Sequence, residues 1–119
     1  EYLGLCYDSG HGNIGVRGLD HLDGLKDRLL SVHLHDNNGS TDQHALPFSG
    51  TVDWPRLSRI IALSAYKSCV STEANMNKSK IGDETEWLAQ AYDACARLTD
   101  MITSQPLPPL TPESCRCKT

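Results

Sequence analysis

Six side chains of the kinds that hold divalent metal ions occur in order along this 119-residue chain: Asp8 and His11, His33, Asp42 and His44, then Glu73. Neutral imidazole and carboxylate together suit borderline and hard cations such as manganese, zinc or cobalt. If the six converge, they form a metal centre. Scattered, each has an ordinary use: Asp8 caps a turn, His33 is a hydrogen-bonded interior histidine, and Asp42 with His44 is solvated loop polarity. Convergence is favoured by position, because three strand-like runs each end in a ligand-type residue.

Those runs are read from the hydrophobic period. Between Tyr2 and Asp8, Leu3, Leu5 and Tyr7 alternate with Gly4, Cys6 and Asp8, the period of a strand. A Gly-rich turn over 9–18 follows. Leu19, Leu22, Leu25 and Leu29 then recur at helical spacing. Leu30 to His35 reads as a second strand and 36–51 as a loop. Asp53 as N-cap and Pro55 in the first turn open a second helix, with Leu57, Ile60, Ile61 and Leu63 or Ser64 as its buried stripe. Ser68 to Glu73 reads as a third strand. Asp83 and Glu86 form a capping pair for a third helix, whose apolar face is Trp87 or Leu88, Ala91, Cys95, Leu98 and Ile102. The order is βαβαβα.

This alternation predicts parallel strands joined by right-handed crossovers. In one sheet, Gly4, Cys6, Asp8, Ser31, His33, His35, Cys69, Ser71 and Glu73 share a face, and Leu3, Leu5, Tyr7, Val32, Leu34 and Val70 share the other. The apolar face is expected beneath the helices and the polar face inside an interior or cleft. Asp8, His33 and Glu73 end their strands, where parallel α/β folds place their chemistry. Three such units cannot bury both faces of a sheet, whereas eight close into a (β/α)8 barrel of roughly 250 residues. Residues 1–103 are therefore expected to be the last three βα units of a TIM barrel, partnered by strands N-terminal to this chain.

Composition sets outer bounds. With 39% hydrophobic and 22% charged residues the chain has an ordinary globular balance. No apolar run is long enough to span a bilayer, so no membrane partner is expected. A net charge of -4, with only Lys78 and Lys80 close together, argues against a nucleic-acid surface. The five cysteines do not form a disulfide framework. Cys6, Cys69 and Cys95 lie in periodic segments, where a buried thiol acts as a small hydrophobe, and a reducing, cytoplasmic compartment is the expectation. Cys115-x-Cys117 is read as incidental. The chain opens on Glu1 and enters a strand pattern almost at once, so it is expected to begin inside a domain. The Pro-rich stretch 104–119 is expected to be a disordered tail without assigned function.

Taken in order, Leu5-Cys6-Tyr7-Asp8-Ser9-Gly10-His11, Val32-His33-Leu34-His35-Asp36-Asn37-Asn38-Gly39, Asp42-Gln43-His44 with Pro47, Gly50-Thr51-Val52-Asp53-Trp54 and Ser71-Thr72-Glu73 resemble the xylose isomerase-like TIM-barrel family. That superfamily includes sugar and sugar-phosphate isomerases and epimerases, inosose-processing enzymes and endonuclease IV. The likeness runs from about Tyr2 to Ile102. D-x-x-H and H-x-H-D are weak motifs singly; their order, with D-x-H and G-T-x-D-W between them, is specific. The family often carries a glycine shortly before Gly50, where this chain has Phe48 and Ser49.

The resemblance implies that Asp8, His33 and Glu73 ligate a divalent metal, with Mn2+ the first expectation and Mg2+, Co2+ or Zn2+ the alternatives. A fourth ligand, a glutamate from the preceding strand, has no counterpart here. His35 competes with His33, and His33 is preferred because it stands three residues before Asp36. Glu73 and His11 are the implied catalytic residues: Glu73 takes part in proton transfer next to a carbonyl, and His11 orients substrate oxygens. His35, Asp42 and His44 are implied to bind substrate or a second metal. The implied activity is isomerisation or epimerisation of a small-molecule sugar or sugar phosphate. Two other readings stand beside it: an endonuclease IV-like phosphodiesterase acting on abasic DNA, and a non-catalytic piece of a barrel.

Overall fold

A computed structural model of the chain describes residues 3–106. Strand β1 (Leu5–Asp8) runs into helix α1 (Ser9–Ile14), helix α2 (Gly18–Leu25) and a single 3-10 turn (Lys26–Arg28), then strand β2 (Leu29–His33). A long loop leads to helix α3 (Trp54–Ala62), and an extended segment with one 3-10 turn (Met76–Lys78) leads to helix α4 (Glu84–Thr103). The strands β1 and β2 are parallel, as the alternation predicts, and α2 and α4 both pack against α3.

Tyr7, Val32 and Leu34 turn towards the helices and meet Leu22, Leu57, Ile60, Ile61 and Leu98 in one buried cluster. Each of those fully buried aliphatic side chains stabilises the fold by about 1.5–3 kcal/mol relative to exposure. The caps read from the sequence hold. The Asp53 carboxylate accepts the Arg56 N–H at 3.0 Å and Asp83 accepts the Glu86 N–H at 2.8 Å, satisfying donors that each helix start would otherwise leave unpaired. Two open choices are settled by burial: Ser64 rather than Leu63 is buried, and Leu88 is 61% exposed while Trp87 is half-buried.

Four expectations need correction. The third strand, Ser68 to Glu73, makes a single parallel bridge, Leu34 to Thr72, rather than a ladder. The Gly-rich turn is helical over Ser9–Ile14, because Asp8 caps it by accepting the His11 N–H at 2.8 Å. The expected helix from Leu19 stops at Leu25, which is exposed, and Leu29 is the first strand residue and fully buried. Finally, the face assignment fails at three points. Leu3 is 79% exposed. Cys6 and Cys69 are exposed rather than buried. His35 is buried although His33, on the same nominal face, is exposed.

The physical reason lies in how the strands pair. Leu5 pairs with Leu29 but Cys6 pairs with Ser31, so Leu30 is an extra residue in the ladder and the period-two count slips across it. Beyond His33 the ladder ends. Leu34 bridges Thr72 on one side, Asp36 bridges Ala45 on the other, and residues 34–37 are all buried. The polar face of β1 and β2, with Cys6, Ser31 and His33, is open to solvent. Of the proposed tail, residues 107–119, with Cys115 and Cys117, lie outside the described residues.

Burial gives Tyr7 a measurable signature. Its phenol is pushed from 10.0 up to about 12, first by burial and then by the neighbouring Asp8 carboxylate. Between those pH values the unfolded chain sheds the proton and the folded chain retains it, so the stability contribution is intact below pH 10.0 and lost as pH rises towards 12. The urea midpoint is expected to fall more steeply over that window in the wild type than in Tyr7→Phe. Parallel curves for the two proteins would show that Tyr7 is not held neutral by burial.

Candidate metal centre

In the β1–β2 register Asp8 lies opposite His33, so two of the ligand-type residues are neighbours by strand pairing alone. Glu73 reaches them through the single bridge of the third run: its N–H donates to the Leu34 carbonyl at 2.9 Å, and the Thr72 hydroxyl donates to the same oxygen at 2.8 Å. Asp8, His33 and Glu73 each then offer one donor atom, all within 4.8 Å of one another. His33 Nδ1 stands 3.4 Å from Glu73 Oε2 and 3.8 Å from Asp8 Oδ2. Those separations are long for hydrogen bonds. They are close to the edge of about 3–3.5 Å expected between ligands on an ion with bonds of about 2.1 Å. A donor set of two carboxylates and one imidazole, without thiolate, fits a hard or borderline divalent cation. The His33 side chain is 47% exposed on the open face of the two strands.

A second cluster adjoins the first. His11 lies between the two carboxylates, Nδ1 at 3.4 Å from Asp8 Oδ2 and Nε2 at 3.3 Å from Asp42 Oδ2. His44 Nε2 faces the same Asp42 oxygen at 3.2 Å, and its Nδ1 faces the Glu73 carbonyl at 3.0 Å. Burial alone would raise the Asp42 carboxyl, but the His11 hydrogen bond and the nearby imidazoles hold it below its usual range. The Glu73 carbonyl, followed by the Asp42 carboxylate, raises His44 against the opposing effect of burial. His44 takes a left-handed φ of 48°, a conformation uncommon for a non-glycine residue. The flanking pairing fixes it there: the Asp36–Ala45 bridge follows it, and its carbonyl accepts the Asn75 N–H at 2.8 Å.

His35 sits beneath both clusters, with no exposed surface. Its Nε2 is 3.0 Å from Asp8 Oδ1, and its ring stacks on His44 at 3.9 Å with 5° between the planes. Ser9, a residue whose part the sequence did not disclose, fixes the backbone here: its hydroxyl donates to the His35 carbonyl at 2.6 Å, and the His35 N–H lies 2.9 Å from the same hydroxyl. Gly10 is needed for space, since a Cβ there would fall inside the His35 ring.

The loop that carries Asp42 and His44 is organised by Asp36, which sequence reasoning used only as a spacing marker. Its buried carboxylate accepts from the Asn37 N–H at 2.8 Å, the Val52 N–H at 3.0 Å and the Trp54 indole N–H at 2.7 Å. The G-T-x-D-W block is thus the receptor for this carboxylate, and Gly50 leaves room because a Cβ would collide with the Asn37 carbonyl and Asp36 itself. Asn37 ties the loop to α1 by donating to the Gly10 carbonyl at 2.8 Å and accepting from Asn13 at the same distance. The missing family glycine has a structural echo. Phe48 adopts φ 73°, the region glycine favours, and its ring is held between Trp54, 5.5 Å away, and the Arg97 guanidinium at 3.9 Å.

Residues 1–91 match a family described as "Xylose isomerase-like TIM barrel". The chain is 35% identical over 105 residues to the uncharacterized protein y4fM of Sinorhizobium fredii, covering 87% of this chain and 33% of that protein. It is 27% identical over 74 residues to the uncharacterized protein MJ1311 of Methanocaldococcus jannaschii, covering 60% of this chain and 25% of that one. The chain therefore spans about a third and a quarter of the length of these two relatives. No solved structure matches it. Among the described residues, no helix is long and apolar enough to cross a membrane.

Proposed function

Because the chain belongs to the xylose isomerase-like TIM-barrel family and brings Asp8, His33 and Glu73 within 4.8 Å of one another, we propose that it forms the catalytic end of a divalent-metal-dependent isomerase or epimerase acting on a sugar or sugar phosphate. The observation that carries the reading is this three-donor set, supplied by three separate segments and open on its outer side. Asp8, His33 and Glu73 would hold the ion, Mn2+ in first place, and further barrel strands from outside the chain would complete its coordination. When bound, the ion supplies polarisation of a substrate carbonyl and its adjacent hydroxyl, which acidifies the neighbouring C–H.

The chain's own residues do the rest. Glu73 has a half-exposed side chain whose backbone is pinned on both sides, so its carboxylate can accept the proton from the substrate carbon at Oε1 or Oε2 and return it. His11 is 63% exposed on its side chain and spans Asp8 and Asp42 through its two ring nitrogens, so it would donate Nε2–H to a substrate hydroxyl or carbonyl in place of Asp42 while Nδ1 stays beside Asp8. Asp42 and His44 then form the wall that orients the remaining hydroxyls.

One observation favours a second reading. His11, Asp42 and His44 also converge, as a phosphodiesterase with several ions would require. The net charge of -4 weighs against a DNA substrate. Metal analysis of the protein that carries this chain separates the two: a single tightly bound ion, with solvent deuterium entering a ketose or aldose substrate, is the expected result. Three ions and cleavage of an abasic duplex would replace the sugar reading, and no bound ion would end both.

A further inference from the structure

His35 is the one residue of the two clusters that is wholly buried, and its Nδ1 has no hydrogen-bond partner among the described residues. Its distances admit it to a second ion with Asp42 and His44. Its orientation opposes that. An imidazole nitrogen offers its lone pair in the plane of the ring, and the His35 and His44 rings lie parallel, 5° apart, with centroids separated by 3.9 Å. One ion at about 2.1 Å from a nitrogen of each could not lie in both planes. The His11 ring, by contrast, stands at 90° to His35.

The two oxygens of Asp8 are also unlike. Oδ1 accepts the His11 backbone N–H at 2.8 Å and faces His35 Nε2 at 3.0 Å. Among the described residues Oδ2 has only the longer approaches of His11 Nδ1 at 3.4 Å and His33 Nδ1 at 3.8 Å. With Nδ1 enclosed and unpartnered, the proton belongs on Nε2, where a carboxylate oxygen receives it.

We propose that His35 is a positioning residue: its Nε2–H occupies Asp8 Oδ1, so that Asp8 presents Oδ2 alone to the cation, and the stack on His44 ties this rotamer to the Asp42 loop. The inference rests on the metal-site reading above for its second half only. Hydrogen bonds of this kind behind a ligand typically change metal affinity 10–100-fold when lost.

The test uses the protein that carries this chain. In the metal-free wild type, long-range 15N–1H spectra are expected to show His35 protonated at Nε2 and bare at Nδ1, with the Nε2 proton lost to rapid exchange in Asp8→Ala. A His35 protonated at Nδ1 would overturn the proposal whether or not any metal binds. On addition of Zn2+ as a diamagnetic probe, the His33 ring nitrogens are expected to shift by direct ligation and those of His35 are not; a ligation shift at His35 would make it a ligand instead. His35→Gln, whose amide can reach Asp8 Oδ1, should keep Mn2+ affinity within about threefold, while His35→Asn, too short to reach, should lose about 10–100-fold. Equal affinity in the folded Gln and Asn variants overturns the positioning role. If either variant fails to fold, the wild-type spectra decide. If the wild type binds neither ion, the metal-site reading falls and with it the presentation of Oδ2, while the Nε2 proton still reports whether His35 holds Asp8.

Discussion

Glu73→Gln, in the protein that carries this chain, is expected to abolish exchange of the substrate's α-proton with solvent and to lower turnover by about 10²–10⁴-fold. Glutamine keeps the length and a donor oxygen but cannot take a proton at neutral pH. The backbone around it would not change, because the Glu73 N–H bond to Leu34 and the contact of its carbonyl with the His44 ring involve no atom of the Glu73 side chain. Loss of activity therefore reports chemistry rather than folding. Part of the loss will appear as weaker Mn2+ binding, since the same carboxylate lies 3.4 Å from His33 Nδ1. Assay at saturating Mn2+ removes that part. Undiminished deuterium incorporation from D2O into a panel of aldoses and ketoses that the wild type exchanges would sink the assignment of Glu73 as the proton carrier.

The second large effect is structural. Asp36→Ala leaves three buried N–H donors without an acceptor, those of Asn37, Val52 and the Trp54 indole. At about 1–3 kcal/mol for each unsatisfied group, a loss of about 3 kcal/mol or more is expected in urea unfolding. Trp54→Phe, which removes the donor to Asp36 Oδ2 and keeps most of the apolar ring, should cost about 1.5–3 kcal/mol, the range for a hydrogen bond to a charged group. The loop that carries Asp42 and His44 would lose its anchor as well, so the remaining folded Asp36→Ala protein should also bind Mn2+ less tightly. A change below about 1 kcal/mol would mean that solvent satisfies these donors and that the carboxylate does not organise the loop.

Much of this was legible in the residues. Asp53 with Pro55 and Asp83 with Glu86 mark helix starts through side chains that act within one turn of themselves, so sequence spacing contains the whole interaction. The parallel order of β1 and β2 follows from a helix lying between them, and the buried stripe of α3 follows from its period. What failed did so where non-local contacts override local pattern. The extra residue at Leu30 shifts the face count without any mark in the sequence, and the third run makes one bridge only, to Leu34 just past the end of β2, so its alternation of side chains finds no ladder to pair with.

The site divides in the same way. That Asp8, His11, His33, Asp42, His44 and Glu73 are of ligand type, and that three of them end strand-like runs, is determined by residue identity and period alone, because donor chemistry and strand polarity belong to the chain itself. Their different environments were decided only by the tertiary structure. Whether His33 or His35 faces solvent depends on where the β1–β2 ladder stops. Which oxygen of Asp8 is engaged depends on α1 folding back over His35, and the shape of the Asp42 loop depends on a carboxylate and an indole 18 residues apart. Those are contacts between segments distant in sequence, whose distances are set by packing, and no spacing within any one segment contains them.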